Sequence, residues 1–274
     1  MRFKLHLRPV RDGQKLIFNY QYAIQAWLYG LLYRADSTYA NFLHNEGYHV
    51  ADSTKAFKHF TFSSLKLGKI RPIEKGDDYI ELSEDNIELM VSFYIDGAAQ
   101  KFIIGLFQSQ ILSIFNKSYK ADFIVEKVET LIVPELSKDG FAMVTKQFET
   151  ISPMVMAYSN ESNTDYISPD DNRYEKIFAI NLVDKYRSLQ EKGGLMMDAL
   201  TAQNLVRFRL LTEPEHIKKR GFLIKEGKSK EEMKVIGYDK FCFEVTAPSI
   251  VLNAGYLGGF GRFCAMGCGC TDIL

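Results

Sequence analysis

The sequence predicts an α+β fold, because stretches with the period of a strand alternate with stretches that have the period of a helix. The segment Arg2–Arg8 alternates apolar and basic side chains, which is typical of a half-buried strand with a basic exposed side. The apolar residues from Ile24 to Leu32 recur at helical spacing instead. Hydrophobic residues make up 46% of the 274 positions, which is enough to bury one large core or two ordinary ones.

The first half of the chain has six main elements in a recognisable order. After the opening strand, which Pro9 ends, we predict a helix from Ile24, a short helix capped by Ser37 and reaching His44, strands at Phe57–Phe62, Tyr79–Leu82 and Leu89–Ile95, a helix over Ala98–Phe115, and a strand over Phe123–Val133. The main order is strand, helix, strand, strand, helix, strand. That order is the ferredoxin-like unit.

The second half reads as a weaker copy of the same unit. We predict a strand near Phe141–Phe148, a helix over Asp170–Leu189, strands at Leu205–Leu211 and Phe241–Val245, a short helix after Pro248, and a last strand from Phe263. The chain is therefore expected to form tandem ferredoxin-like domains over residues 1–133 and 134–274. Each would have an antiparallel sheet with helices on one face, and the two would face each other across a cleft.

The bulk sequence indicates an intracellular, water-soluble protein. The longest apolar stretches, such as Phe102–Phe107, are far shorter than the roughly 20 residues that a membrane-spanning helix needs, and no apolar signal segment follows Met1. We therefore expect a cytoplasmic protein with no membrane partner. Its four cysteines all fall after residue 241 and are expected to be thiols in that reducing compartment.

The charge distribution is more informative than the net charge, which is zero. Ten basic residues against six acidic ones lie between Arg207 and Lys240, and they include the cluster Lys218, Lys219 and Arg220. This cluster is a candidate surface for a polyanion. The solvated face of a hairpin would have the same composition, so both interpretations stay open.

The most specific feature is the glycine-rich segment Gly259–Gly269, which Gly255 and Gly258 precede. Glycines permit positive φ and a close backbone approach, so successive N–H groups can face a phosphate. A dinucleotide-binding fold would need a long helix after the loop and an acidic residue further on, and a P-loop would need Gly-Lys-Ser/Thr. Neither is present. A flexible tail or a tight strand entry is the structural alternative to a phosphodiester-binding loop.

The glycine spacing resembles the C-terminal signature of a known family. Gly259, Gly261, Gly267 and Gly269 fill its four glycine places, and this pattern is similar to that of the CRISPR-associated repeat-processing endoribonucleases, the "Cas six" family of the repeat-associated mysterious protein superfamily. Other segments agree, namely Met1–Leu5, Asn19–Tyr22, Phe42–His44, Phe60–Ser63, and Ile167–Asp171 with Asn181, Leu182, Lys185 and Tyr186.

The resemblance implies a metal-free active site in the first half of the chain. The family commonly uses a histidine, a tyrosine and a lysine, and local matching puts these at His44, Tyr29 and Lys58. RNA carries its own nucleophile, so a base, an acid and a cation are sufficient for cleavage. A helix C-terminus near His44 would favour the protonated imidazole. The structural alternatives are a capping or partly buried histidine and a surface or boundary tyrosine. Lys55 is the alternative to Lys58, and His49 or His59 is the alternative for a role given to another residue.

Other candidate chemistry is weaker. Cys264, Cys268 and Cys270 could bind zinc with Cys242 as a distant fourth ligand, but structural zinc sites usually take ligand pairs from two segments. The acidic run from Glu74 to Glu88 is typical of a solvated hairpin rather than a magnesium site. We therefore expect no metal and no cofactor. Phe260 and Phe263 are candidates for stacking on bases.

The expected function is endoribonuclease cleavage of a CRISPR precursor transcript within its repeat, giving a 5′-hydroxyl and a 2′,3′-cyclic phosphate. The candidate RNA contacts are Gly255, Gly258, Gly259, Gly261, Arg262, Gly267, Gly269, Lys218, Lys219 and Arg220. The alternative is a non-catalytic RNA-binding subunit of a CRISPR effector complex, and a third reading is a nucleotide-binding metabolic enzyme. Besides repeat RNA, the expected partners are other effector subunits and a second copy of the chain.

Overall fold

A computed structural model describes residues 1–50, 54–82, 86–159, 164–190, 203–224 and 232–274. Its α-helices include α1 (Gln21–Ala35), α2 (Ser37–Asn45), α3 (Asp96–Gln108), α4 (Tyr174–Arg187) and α5 (Ser249–Gly258). Its strands are β1 (Arg2–Pro9), β2 (Lys15–Ile17), β3 (Tyr48–His49), β4 (Ala56–Phe57), β5 (Phe60–Phe62), β6 (Tyr79–Glu81), β7 (Ile87–Phe93), β8 (Ile111–Phe115), β9 (Lys120–Leu131), β10 (Met143–Thr150), β11 (Ala157–Ser159), β12 (Thr164–Tyr166), β13 (Arg207–Leu210), β14 (Lys218–Ile224), β15 (Met233–Asp239), β16 (Cys242–Pro248) and β17 (Thr271–Ile273).

The first half forms a five-stranded antiparallel sheet in the order β5-β7-β1-β9-β8. In β1 the side chains of Phe3, Leu5 and Leu7 are buried, as the alternating pattern predicts. They pack against helix residues such as Leu28 and Phe102 in one hydrophobic core. Without β8 and the short α2, the strand order and the helices α1 and α3 are those of the predicted ferredoxin-like unit.

The second half repeats this arrangement with a four-stranded antiparallel sheet in the order β13-β16-β10-β17. Helices α4 and α5 contribute Phe178, Leu182 and Leu252 to a second core around Phe148 and Phe243. The predicted α+β fold with two ferredoxin-like units is confirmed. The first core draws on residues 3–125 with Ala265 and the second on residues 136–260, while the division at Pro134 stays a prediction.

Three element predictions are wrong in detail. The helix predicted over Ala98–Phe115 ends at Gln108, and the edge strand β8 follows after an extended Ser109. The strand predicted from Phe263 is a short 3₁₀ helix over Cys264–Met266, and β17 begins only at Thr271. The N-cap of α2 is Asp36 rather than Ser37, because the Asp36 carboxylate accepts a hydrogen bond from the backbone N–H of Tyr39.

The basic side of β1 is also less exposed than its pattern suggests. Arg2 is only 1% exposed, and its guanidinium lies 4.4 Å from the ring centre of Tyr256 and donates to the carbonyl of Thr271 at 2.8 Å. Arg8 and His6 pair with Glu126 and Glu129 on β9. The start of β1 therefore joins the two halves of the chain rather than presenting a basic surface. No helix among the described residues has the length and hydropathy to span a bilayer.

Candidate active site

A cavity of about 710 Å³ lies between the two halves of the chain. The first half lines it with Tyr29 of α1, His44 of α2 and the segment from Thr54 to His59. The second half lines it with residues of α4 and with the loop that follows α5. The sequence-predicted histidine and the glycine-rich loop therefore share one cavity, although more than two hundred positions separate them.

His44 lies in the last turn of α2 and is exposed to solvent. The Asp36 cap fixes the start of this short helix, and Gly47 takes a positive φ of 75° just beyond its end. The imidazole Nδ1 lies 3.0 Å from Oδ1 of Asn45. An amide oxygen only accepts, so this contact assigns a proton to Nδ1 and leaves Nε2 as the nitrogen for proton transfer.

Tyr29 faces the same histidine from the preceding helix. The two ring centres are 5.0 Å apart in an edge-to-face arrangement, and the Tyr29 ring also contacts Phe60 of β5. Burial raises the pKa of the Tyr29 phenol above its usual value. The hydroxyl therefore keeps its proton at neutral pH and can act as a hydrogen-bond donor.

Lys58 completes the group at the end of the β4 segment. Its Nζ donates to the backbone carbonyl of His44 at 3.1 Å, and burial lowers the pKa of its ammonium from the usual value of 10.5. The alternative lysine, Lys55, instead forms an ion pair with Asp184 of α4 at 2.5 Å. The geometry favours Lys58 as the cation beside His44.

The other two histidines of this region lie in different environments. His49 is exposed on β3 and does not line the cavity. His59 is 2% exposed, and burial, together with the nearby ammonium of Lys185, lowers its pKa to about 3. A buried imidazole with so low a pKa is a weak base, so the exposed His44 suits acid–base chemistry better.

The glycine-rich loop is packed against the protein itself. All four signature glycines have positive φ values between 67° and 85°. A Cβ at Gly261 would lie 2.5 Å from the Val155 carbonyl oxygen, and one at Gly269 would collide with the Phe260 carbonyl. These contacts explain both glycines without a ligand. Tight internal packing of the loop therefore accounts for part of the glycine pattern.

The candidate RNA contacts separate into three groups. Gly258, Gly261 and Arg262 line the same cavity as His44. Gly255, Gly259, Gly267 and Gly269 are buried and do not line it, since their Cα atoms face neighbours such as the Phe62 ring. Lys218, Lys219 and Arg220 are exposed on β14, outside the cavity lining. The local geometry thus supports a direct RNA contact most strongly for the first group.

The two loop phenylalanines have different positions. Phe260 is 1% exposed, and its ring contacts those of Phe148, Phe178 and Phe243 in the second core. The prediction that it stacks on bases is therefore wrong. Phe263 is half-buried and lines the cavity, with the Arg262 guanidinium 5.8 Å from its ring centre. Phe263 and Arg262 thus place an aromatic ring and a cation on the cavity wall.

Comparison with known families matches both halves of the chain. Residues 15–129 match the family model described as CRISPR-associated protein Cas6, N-terminal, and residues 135–273 match the one described as CRISPR associated protein Cas6, C-terminal. The chain belongs to the Cas6 family. The resemblance first seen in the glycine spacing is thereby confirmed.

Two curated Cas6 relatives are similar to the chain. The CRISPR-associated endoribonuclease Cas6 1 of Methanocaldococcus jannaschii is 28% identical over 193 residues, which cover 69% of this chain and 66% of that protein. The endoribonuclease-like protein Cas6nc of Pyrococcus horikoshii is 24% identical over 279 residues and is covered in full, as is this chain.

Solved structures agree with the fold of a Cas6 protein. A Cas6-related protein from Pyrococcus furiosus superposes with a TM-score of 0.76 at 19% identity, covering 100% of this chain and 98% of that one. A RAMP protein described as binding different RNA substrates gives 0.74 at 19% identity, with 100% and 99% covered. A CRISPR-associated Cas6 protein gives 0.70 at 23% identity, with the same coverage.

Lys185 holds the glycine-rich loop in this Cas6 protein, and the sequence indicated it only as part of a family segment. Lys185 is 1% exposed, and its ammonium donates to the carbonyl of Gly259, with the Gly258 carbonyl at 3.5 Å and Cys264 Sγ at 3.3 Å. It therefore anchors the glycine-rich loop to α4. A signal was present, because Lys185 continues the apolar stripe that Phe178 and Leu182 form along that helix.

Cys264, Cys268 and Cys270 lie in or next to the glycine-rich segment, and Cys242 begins β16. Cys268 and Cys270 are buried, and burial raises the pKa of the Cys270 thiol to about 11. Within the described ranges, no group of three histidine, cysteine or carboxylate side chains could hold a metal ion. Part of the predicted acidic run, Glu84 and Asp85, lies outside the described residues, as do Lys225, Lys228 and Lys230 of the basic segment.

Proposed function

We propose that this Cas6 protein is an endoribonuclease that cleaves a CRISPR precursor transcript within its repeat. The observation that carries the proposal is that Tyr29, His44 and Lys58 meet in one cavity whose opposite wall includes Gly261 and Arg262. A strand bound along that wall would bring a phosphodiester within reach of all three side chains. The curated Cas6 relative of M. jannaschii is named an endoribonuclease, which supports the same reaction.

The proposed reaction uses the 2′-hydroxyl of the RNA as the nucleophile. Nε2 of His44 accepts its proton while the oxygen attacks the adjacent phosphorus, and the bond to the 5′-oxygen breaks. The protonated Tyr29 phenol donates to the leaving oxygen, and the Lys58 ammonium stabilises the negative charge on the phosphoryl oxygens. The products are a 2′,3′-cyclic phosphate and a 5′-hydroxyl. None of these steps needs a metal ion or a cofactor.

Cleavage of repeat RNA in EDTA tests the mechanism. The expected result is a single cut with undiminished rate, and the upstream product carries a 2′,3′-cyclic phosphate that acid or a suitable phosphatase reveals. A substrate with 2′-deoxyribose at the scissile nucleotide serves as the matched control and should bind but stay intact. Continued cutting of that substrate would exclude internal attack by the 2′-hydroxyl.

The second candidate function is RNA binding without cleavage, as a subunit of a CRISPR effector complex. The similarity to a relative described only as endoribonuclease-like favours keeping this candidate. Repeat RNA that binds tightly and stays intact in the presence and absence of EDTA would support it.

Assembly and location belong to the same proposal. We propose a cytoplasmic protein that binds other effector subunits and a second copy of itself. Ile111 and Phe115 support self-association, because both are exposed on the edge strand β8, which carries no charged residue. Light scattering after gel filtration should give twice the monomer mass, and Phe115→Lys should restore the monomer. A wild-type monomer at all concentrations would refute this part.

A further inference from the structure

His59 combines an unusual backbone with a buried side chain directly after Lys58. Its φ of 54° lies in the left-handed region, which non-glycine residues rarely adopt and which costs free energy. Its carbonyl accepts from the N–H of Tyr94 at 3.0 Å, so the strained peptide is tied to the end of β7. The strained residue His59 therefore links Lys58, the proposed cation, to Phe60, the first residue of strand β5.

The imidazole of His59 makes one hydrogen bond, and it crosses to the other half of the chain. Nε2 lies 2.8 Å from Oγ of Ser188, which itself donates to the Lys185 carbonyl at 2.8 Å. Ser188 has used its proton, so Nε2 of His59 must be the donor. Nδ1 is then an unprotonated acceptor, and among the described residues it has no hydrogen-bond partner.

Residues at the C-terminal end of α4 bind the chain both before and after Lys58. Asp184 binds Lys55 three residues before Lys58, and Ser188 binds His59 one residue after it. Between these two anchors, the Lys58 side chain extends to the His44 carbonyl. Two points of attachment, one in the last turn of α4 and one at its C-cap, restrict where the ammonium can lie.

We propose that His59 is a positioning residue that holds Lys58 opposite His44 through its left-handed backbone and its hydrogen bond to Ser188. The inference rests on the proposed function, because Lys58 has a role only if RNA is cleaved in this cavity. The His59 ring is 2% exposed and packs against Tyr48, Phe57 and Tyr94, so we assign it a positioning role rather than a direct contact with RNA. Burial and the nearby Lys185 ammonium lower its pKa, which agrees with a neutral imidazole that donates through Nε2 to Ser188.

A double-mutant cycle tests this inference, with single-turnover cleavage at saturating repeat RNA as the readout. His59→Ala should slow cleavage by about 10- to 100-fold, the range that misplacement of a catalytic group by about 1 Å can produce. Binding of uncleavable 2′-deoxy RNA should stay close to that of the wild type. In a chain that already carries Lys58→Ala, the His59→Ala change should slow cleavage by less than about threefold, because Lys58 can no longer be misplaced.

Ser188→Ala removes the hydrogen bond and keeps the imidazole, so it repeats the cycle if His59→Ala fails to fold. It should slow cleavage less than His59→Ala and should show the same dependence on Lys58. The exposed His49→Ala serves as the matched control and should cleave at the wild-type rate.

Four outcomes would overturn the inference, and they are distinguishable. Wild-type cleavage by both His59→Ala and Ser188→Ala would show that neither group positions Lys58. An equal slowing in the presence and absence of Lys58 would show that His59 acts independently of the lysine. Absence of cleavage by the wild type, or a Lys58→Ala variant with the wild-type rate, would instead refute the proposed site and this inference with it.

Discussion

Gly261 is the position where the packing of the glycine-rich loop is most directly testable. Its φ is 80°, and a Cβ there would lie 2.5 Å from the carbonyl oxygen of Val155. That same oxygen accepts the backbone N–H of Arg262 at 2.9 Å. Gly261→Ala must therefore both hold a side chain in the left-handed region and displace this hydrogen bond.

The expected loss of stability is about 2 to 3 kcal/mol. The left-handed backbone costs an alanine about 1 to 2 kcal/mol, and the lost hydrogen bond adds about 1 kcal/mol. Gly30→Ala is the matched control, because Gly30 lies inside α1 and no neighbouring atom lies within 4 Å of its added Cβ. This control should gain about 0.5 to 1 kcal/mol, since alanine is the better helix former.

Urea unfolding followed by far-UV circular dichroism measures both variants, with linear extrapolation to water. The account predicts opposite shifts of the midpoint, downward for Gly261→Ala and upward for Gly30→Ala. A Gly261→Ala protein as stable as the wild type would refute the argument that internal packing, rather than a ligand alone, demands glycine at this position.

Three further predictions concern the cavity and its surroundings. Because burial lowers the pKa of Lys58, the cleavage rate should fall as pH rises through a value below the usual lysine pKa of 10.5. The rate is measured after subtraction of enzyme-free hydrolysis. Lys58→Arg should move this decline to higher pH, whereas Tyr29→Phe should leave it in place because the pKa of Tyr29 is raised. A decline unchanged in Lys58→Arg would rule out Lys58 as its source. Replacing Lys218, Lys219 and Arg220 by alanine should reduce the slope of log affinity against log salt concentration by about 2, because each phosphate contact on a single strand contributes about 0.7. The control variant with Lys117→Ala and Lys138→Ala should keep the wild-type slope. Equal slopes in both variants would show that the β14 cluster does not contact the RNA. Phe260→Ala should destabilise the protein by about 3 to 5 kcal/mol because its ring is in the core. Phe263→Ala should weaken RNA binding by about 1 to 3 kcal/mol with little change in the unfolding midpoint. The reverse pattern would contradict the assignment of Phe260 to the core and of Phe263 to the RNA contact.

Local patterns predicted the framework of the fold well. Alternation in β1 and helical spacing in α1 both report a single buried face, and that face is a property of neighbouring residues alone. The helix predicted to reach Phe115 shows where this reasoning fails. A short apolar run such as Ile111–Phe115 fits a strand or a helix, and pairing with β9, which decides between them, depends on a distant segment.

Residue types and family spacing predicted which residues form the candidate site, but not how these residues pack together. His44, Tyr29 and Lys58 were found from local matches, and their proximity depends on how α1, α2 and the β4 segment pack. Phe260 was misjudged because its glycine neighbours suggest an open loop, whereas its ring fills a gap left by strands β10 and β16. The strain at His59 and its bond to Ser188 arise between distant segments, which no local pattern records.

The central claim is that Tyr29, His44 and Lys58 cleave RNA that the opposite wall of the cavity holds. Single-turnover cleavage by a variant carrying Tyr29→Phe, His44→Ala and Lys58→Ala tests it most directly, with binding of the same repeat RNA measured in parallel. The account predicts that the variant binds the RNA with near wild-type affinity and produces no cyclic phosphate above the enzyme-free background. Cleavage by this variant at the wild-type rate would contradict the account.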